Sequence, residues 1–263
     1  MMEGPESIET RDPMQGAPTL LFFFDVLGFS ARVKEVGLQA IYAEYERLLA
    51  MVTESSSQMV LDGEPDGHGA YIPVAFTIPW SMAYFSDTIL LWTDYSRGPL
   101  LLGAAKSVAC QFFCRCFASG LPLRGAMAAG PAVMDPERRI FLGEPIIDAA
   151  RAEAAQRCAG IGIAASWEPY FGGALGRPEL LLPYADHIKP GREAALTTIV
   201  LDWPAAWRKT EDSAVDRLGD LIDSYSRPGF EPYWEATQRL IAYSESEPDW
   251  QQALADRSAA DDE

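Results

Sequence analysis

The chain has 263 residues, 48% of them hydrophobic, which allows one large domain or an ordinary domain with an appendage. A formal net charge of −17 argues against nucleic acid or an anionic membrane surface as partner, since both reward clustered Lys and Arg. No apolar run reads as long enough to span a bilayer, and Met1 to Pro18 lacks the basic start and separate apolar core of a signal peptide, so a cytoplasmic protein with a disordered leader at 1–18 is expected.

After the leader, Leu20-Leu21-Phe22-Phe23-Phe24 is a continuous apolar run that ends in Asp25 and turns at Gly28. Such a run reads as a strand buried on both faces, with a carboxylate delivered at its end. A carboxylate so placed needs a cation, hydrogen bonds or a raised pKa. Gly28-Phe29-Ser30 then opens a helix-like stretch and lets backbone N–H groups approach an anion closely. Leu38 to Val52 carries an apolar stripe at helical spacing. Ser55 to Gly69 is rich in turn residues and reads as an exposed loop, with His68 lacking any visible partner.

Ala83-Tyr84-Phe85-Ser86-Asp87-Thr88-Ile89-Leu90-Leu91-Trp92 is two apolar arms around Ser86-Asp87, a hairpin with Asp87 at its tip. If it lies beside the first strand, Asp25 and Asp87 converge. Two carboxylates together with a triphosphate are what Mg²⁺ or Mn²⁺ prefers.

The periodicity next predicts a helix over Pro99 to Ser119, and Leu121 to Gly130 reads as a strand of small residues approached closely by another backbone. A turn at Asp135-Pro136 and a short strand at Ile140 to Leu142 follow. Gly143 opens an alanine-rich helix over Ile146 to Cys158, and Ile161 to Ser166 reads as another short strand. The order is that of an α+β, ferredoxin-like split βαβ sheet with helices on one face. Residues 19–190 are expected to form this domain and 191–263 an α/β extension, with a strand at Ala195 to Asp202, helices near Ser213 to Tyr225 and Tyr233 to Ser244, and an acidic tail. Cys110, Cys114, Cys116 and Cys158 fit no zinc spacing and read as buried, reduced thiols.

Four motifs, in order over Thr19 to Cys158, resemble the class III nucleotidyl cyclases. Phe22-Phe23-Phe24-Asp25-Val26-Leu27-Gly28-Phe29 resembles the first metal-binding strand and loop, and Phe85-Ser86-Asp87 the hairpin of the second metal aspartate. Leu123-Arg124-Gly125-Ala126-Met127-Ala128-Ala129-Gly130 resembles the arginine-to-glycine strand, and Gly143-Glu144-Pro145-Ile146-Ile147-Asp148-Ala149-Ala150-Arg151 the helix that carries the transition-state arginine. The resemblance implies two Mn²⁺ or Mg²⁺ ions held by Asp25, Asp87 and the Val26 carbonyl. It implies phosphates cradled by Leu27, Gly28, Phe29 and Ser30, and Arg151 supplied across a homodimer with composite sites.

The base-recognition positions depart from the purine cyclases: Ala83 and Ile140 stand where polar groups are usual, and Ile147 replaces the ribose-positioning asparagine. The Asp-Val-Leu-Gly-Phe opening and Ser-Asp-Thr hairpin look like the pyrimidine cyclases of the Pycsar anti-phage systems. That resemblance implies conversion of UTP to cyclic UMP, or of CTP to cyclic CMP, and a separate effector that responds to the product. Trp80, Tyr84 and Arg124 join Ala83, Ile140 and Ile147 as candidates for the base pocket, Arg124 alternatively touching phosphate. Other readings left open are a degenerate cyclase domain that binds a nucleotide without turnover, a relative of polymerase palms or diguanylate cyclases, and a scaffold whose acidic surface binds a basic partner.

Overall fold

The run Leu20 to Phe24 lies at the centre of the main sheet. The computed structural model describes residues 17–54, 57–65, 71–95, 100–167, 180–209, 217–227 and 229–246. Strand β1 (Ala17–Val26) leads into helices α1 (Phe29–Val36) and α2 (Leu38–Glu54). Strands β2 (Ser57–Pro65) and β3 (Tyr71–Ile78) pair with each other, apart from the main sheet. The chain continues through β4 (Ser81–Phe85), β5 (Thr88–Asp94), α3 (Leu100–Ala118), β6 (Leu123–Asp135), β7 (Ile140–Gly143), α4 (Glu144–Ala155) and β8 (Gly160–Ala164). Strands β9 (Leu181–Pro183) and β10 (Leu196–Leu201) and helices α5 (Trp203–Arg208), α6 (Leu218–Tyr225) and α7 (Glu231–Ser246) complete the described elements.

The main sheet runs β4-β5-β1-β6-β8-β10-β9, with β7 paired to β6. Within it β4-β5-β1-β6, every neighbour antiparallel, is the split βαβ arrangement that the element order implies. Strand alternation divides β1 between two cores. Leu20, Phe22 and Phe24 are buried on the face that carries α2 and α3, and Leu21, with Phe23 beside it, packs on the other face against Ala149, Ala152 and Ala155 of α4. Burial of Phe22 and Phe24 contributes roughly 1.5–3 kcal/mol each. Helices on one face only, the expected arrangement, is therefore corrected: α4 covers the second face, as an all-apolar central strand requires.

Close approach explains the small residues of β6. A Cβ built on Gly125 would lie 2.2 Å from Phe24 Cδ1 and 2.7 Å from the Phe23 carbonyl oxygen. Gly125→Ala is expected to overpack this contact by about 1–3 kcal/mol and to lower Tm by roughly 2–12 °C in a circular-dichroism melt; an unchanged Tm would refute the packing argument.

Other boundaries differ from the sequence reading. Ala17 and Pro18 belong to β1, in register with Ala132 and Pro131, so the leader falls short of 18; residues 1–16 lie outside the described residues. The expected loop at Ser55 to Gly69 contains β2, whose Val60 is in register with Ala75; its turn-rich composition concealed the strand, and His68 lies outside the described residues. The alanine-rich helix ends at Ala155, and Gln156 takes an extended conformation. Leu101–Ala118 is, contrary to expectation, long and apolar enough by length and composition to cross a membrane. It is 67% buried in the fold, where Phe112, Phe113 and Phe117 serve the core.

The part after residue 190 supplies β10, paired to β8 and to β9. Its helices α5 and α7 bring Trp203, Trp207, Trp234 and Leu240 into the same core as α3. Residues 247–263, with the acidic tail, lie outside the described residues. All four cysteines are buried and free.

Candidate active site

Asp25 stands one residue from the end of β1, in register with Thr88 of β5 and Arg124 of β6. Directly opposed residues of antiparallel strands share a face, so Arg124 and Asp25 meet on the α4 side of the sheet. Arg124 Nη2 lies 3.7 Å from Asp25 Oδ2, and Arg124 Nε donates to Glu153 Oε1. Glu153 is a buried carboxylate on α4. Burial pushes the Asp25 carboxyl above its ordinary range, with Arg124 opposing and the charge of Asp87 adding to the rise. Burial likewise raises Glu153, against the pull of Arg124.

Asp87 arrives through the turn between β4 and β5. Its carbonyl oxygen accepts from Val26 N–H at 2.8 Å, and the preceding Ser86 takes a left-handed φ of 57°. The Tyr45 hydroxyl, from α2, donates to the Ser86 carbonyl at 3.0 Å. These two bonds fix the tip of the hairpin beside the end of β1, so the two carboxylates expected to converge lie within each other's field.

The glycine turn follows at once. Gly28 has a left-handed φ of 70°, open to glycine at little cost, and its carbonyl accepts from Ala31 and Arg32 N–H at 3.0 Å each. Among the described residues the N–H groups of Gly28, Phe29 and Ser30 have no backbone acceptor. They open α1 as orphan donors of the kind that receive anions. Leu27 N–H already donates to the Pro122 carbonyl at 2.8 Å, so the four-residue cradle expected from the sequence narrows to Gly28, Phe29 and Ser30.

The donor set suits hard divalent ions. Asp25 feels the charge of Asp87 and that of Arg124, whose guanidinium is shared with Glu153. Among the described residues, no group of three or more His, Cys, Asp or Glu forms a metal cage. An ion here takes few protein oxygens and fills its shell from phosphate and water, the habit of Mg²⁺ and Mn²⁺. In their chemistry the Asp25 and Asp87 carboxylates suit such ions.

The remaining candidates do not gather around Asp25 within one chain. Trp80 is buried against Phe22, ring centroids 6.1 Å apart, in the core on the opposite sheet face, which corrects its place as a pocket wall. Tyr84 leans on Tyr45 at 5.0 Å, also on that opposite face. Ala83 packs beside Leu90 and Phe23 on the α4 face. Ile140 and Ile147 are exposed on β7 and α4. The Arg151 side chain is 73% exposed, its ion-pair partner Asp148 at 3.8 Å. Only Arg124 of the base-pocket candidates touches the Asp25 cluster.

Sequence reasoning passed over Glu153 and Tyr45. Glu153 follows Ala152 and lies four residues after Ala149 on the buried side of α4, so helical periodicity alone marked it as a carboxylate on an inward face.

No protein-family model matches the chain, and no curated protein matches it. Among solved structures the chain is similar to the catalytic core of a rhodopsin-guanylyl cyclase with converted specificity in complex with ATPαS. Identity is 14% over 71% of this chain and 96% of the other, with a TM-score of 0.47. It is similar to an adenylate cyclase from Trypanosoma brucei in its monomeric state, at 11% identity over 74% and 93%, TM-score 0.45. A bacterial light-regulated adenylyl cyclase matches at 10% identity over 82% and 60%, TM-score 0.41. These are likenesses of chain path.

Proposed function

We propose that the chain is a nucleotide cyclase that converts UTP to 3′,5′-cyclic UMP and pyrophosphate, with CTP to cyclic CMP as the alternative. The observation that carries the reading is the meeting of Asp25 and Asp87 beside Arg124, one turn away from the open N–H groups of Gly28, Phe29 and Ser30. In the reaction the ribose 3′-oxygen bonds to the α-phosphorus, the bond from that phosphorus to the pyrophosphate oxygen breaks, and the 3′-hydroxyl proton passes to solvent water. Asp25, Asp87 and the Val26 carbonyl would hold two Mn²⁺ or Mg²⁺ ions, which would supply the acidity of the 3′-hydroxyl and the charge that holds the triphosphate. The chain itself orients: the N–H groups at the start of α1 receive phosphate oxygens, and Arg124 adds a fixed positive charge at the edge of the carboxylate pair.

Arg151 is the proposed donor to the pentavalent α-phosphate, from a second copy of the chain. Its exposure on α4, with Ile147, Ile140 and Leu142 exposed nearby in sequence and Phe85 84% exposed at the hairpin, supports a homodimer whose sites are shared. The pyrimidine choice is supported by apolar Ala83 and Ile140 at the positions that the resemblance assigns to base recognition, where they would leave the polar edge of a purine unpaired. The role in anti-phage defence, acting on a separate effector, is supported by the resemblance of the opening and hairpin motifs to the Pycsar enzymes.

The test is incubation of purified protein with Mn²⁺ and each of ATP, GTP, CTP and UTP, products resolved by chromatography and mass. A cyclic pyrimidine monophosphate that disappears with EDTA is the expected result. A cyclic purine product overturns the base assignment, and no product with a nucleotide-induced rise in Tm identifies a binder without turnover.

A further inference from the structure

Helix α1 has eight residues, none of them fully buried, and a helix so short does not keep its place without outside ties. Its first turn is nonetheless where the open N–H groups of Gly28, Phe29 and Ser30 stand. Phe29 and Val33 rest half-buried against the core. Two hydrogen bonds then run from this region to one place, the turn between α3 and β6. Leu27 N–H, just before the helix, donates to the Pro122 carbonyl at 2.8 Å. Further along, Arg32 Nη2 donates to the Ser119 carbonyl at 3.4 Å.

The Arg32 side chain is built into that turn. A Cβ placed on Gly120 would stand 2.4 Å from Arg32 Nη2 and 2.7 Å from its Cζ, so the guanidinium fills the space that a side chain at 120 would take. Gly120 has a left-handed φ of 85°, the conformation in which helices end at glycine. A cation at this end of α3 also complements the negative end of the helix. Through its backbone, Arg32 N–H donates to the Gly28 carbonyl at 3.0 Å. One residue therefore closes the glycine turn and ties it to α3. Arg32 Nε–H is buried without a partner, which is unfavourable for the fold, and a methionine would cover much of the same surface without that loss.

We infer that Arg32 is a positioning residue for the phosphate turn. With the Leu27 N–H it pins residues 27–32 to the Ser119–Pro122 turn at two points, so that the three open N–H groups keep one fixed arrangement. Its guanidinium is engaged by the Ser119 carbonyl and acts on phosphate only through the turn it holds. A donor set fixed in advance loses less freedom on receiving a triphosphate, which favours binding. The clamp follows from the contacts of this chain alone, and its consequence for the nucleotide rests on the cyclase reading.

Arg32→Met removes the donors and keeps much of the side chain's length, and Arg32→Lys restores the charge and one donor. Arg227→Ala is the control, since Arg227 Nη2 meets Glu35 Oε2 at 2.8 Å in an exposed pair near the other end of α1. In metal-free, nucleotide-free protein, the Leu27 amide is expected by NMR hydrogen exchange to exchange about three- to tenfold faster in Arg32→Met. It should keep the wild-type rate in Arg227→Ala and fall between the two in Arg32→Lys. The Tyr95 amide, bonded to the Pro18 carbonyl at the far end of β1, should not change, which separates a loosened turn from a less stable protein. With Mn²⁺, affinity for inorganic tripolyphosphate, measured by calorimetry, is expected to fall about three- to tenfold in Arg32→Met, and KM for the nucleotide to rise by as much, kcat changing less. A wild-type Leu27 exchange rate in Arg32→Met overturns the proposal, and affinity lost at that rate would make Arg32 a direct charge contact. Faster exchange with unchanged affinity and KM also overturns it, leaving Arg32 a packing residue. If the wild-type protein neither turns over any nucleoside triphosphate nor binds tripolyphosphate, the cyclase reading fails, and the Leu27 exchange alone still decides whether Arg32 holds the turn.

Discussion

Asp25→Asn is expected to lower nucleotide turnover by about a thousandfold or more and, at the same time, to raise the Tm of the protein in EDTA. The two effects have one origin. Asp25 is half-buried at the end of a core strand, and burial, with the Asp87 charge, raises its carboxyl pKa despite Arg124. A group whose folded pKa lies above its unfolded value is taken up protonated by the fold, so stability falls as pH rises through that window. Near neutral pH the ionised carboxylate therefore works against the metal-free fold, and an isosteric amide relieves it. The Tm difference between Asp25→Asn and wild type should narrow as pH is lowered toward the ordinary carboxylate range, because the wild-type side chain becomes neutral too. Differential scanning fluorimetry in EDTA across pH 4.5 to 8 measures it. A variant that is inactive but less stable than wild type at every pH would mean that Asp25 is a structural partner of Arg124 and not a site group kept at the expense of the fold.

In the candidate site, the placement of Asp25 at a strand end, Asp87 at a hairpin tip and Gly28 before a helix was legible because each sits in a local pattern. An apolar run ending in a carboxylate, a Ser-Asp pair between apolar arms and a glycine before a helix need no knowledge of distant chain. Arg124 as the neighbour of Asp25 was not legible in this way, since the contact depends on the register of β6 against β1, and register follows from the whole sheet. Trp80 illustrates the opposite error. Nearness in sequence to Asp87 suggested a pocket wall, but Trp80 stands just before β4 and is buried against Phe22 in the core. Strand β2 was hidden because Asp62, Gly63, Glu64 and Pro65 carry turn signals within the strand itself; pairing with β3 overrides local preference there.

Mixing inactive Asp25→Ala chains with inactive Arg151→Ala chains is expected to restore turnover. In each chain Arg151 is exposed and lies on α4, its partner being Asp148 and not the Asp25 cluster. If a second copy lends its Arg151 to the site of the first, a heterodimer of the two variants has one site with both defects and one with neither. Random pairing of equal amounts makes half of the dimers heterodimers, so recovery should approach about a quarter of wild-type activity, in keeping with a symmetric two-site dimer. Activity should rise with time after mixing, at the rate of subunit exchange, and should vanish when both substitutions are placed in every chain. The titration also discriminates mechanism from stability, because a variant that merely unfolds cannot be rescued by a partner carrying a different defect. Absence of rescue, with heterodimers demonstrated by native mass spectrometry, would sink the shared site and assign Arg151 to a surface ion pair with Asp148. Rescue far above a quarter would instead mean that one of the two variants keeps activity of its own, which the unmixed chains would reveal directly.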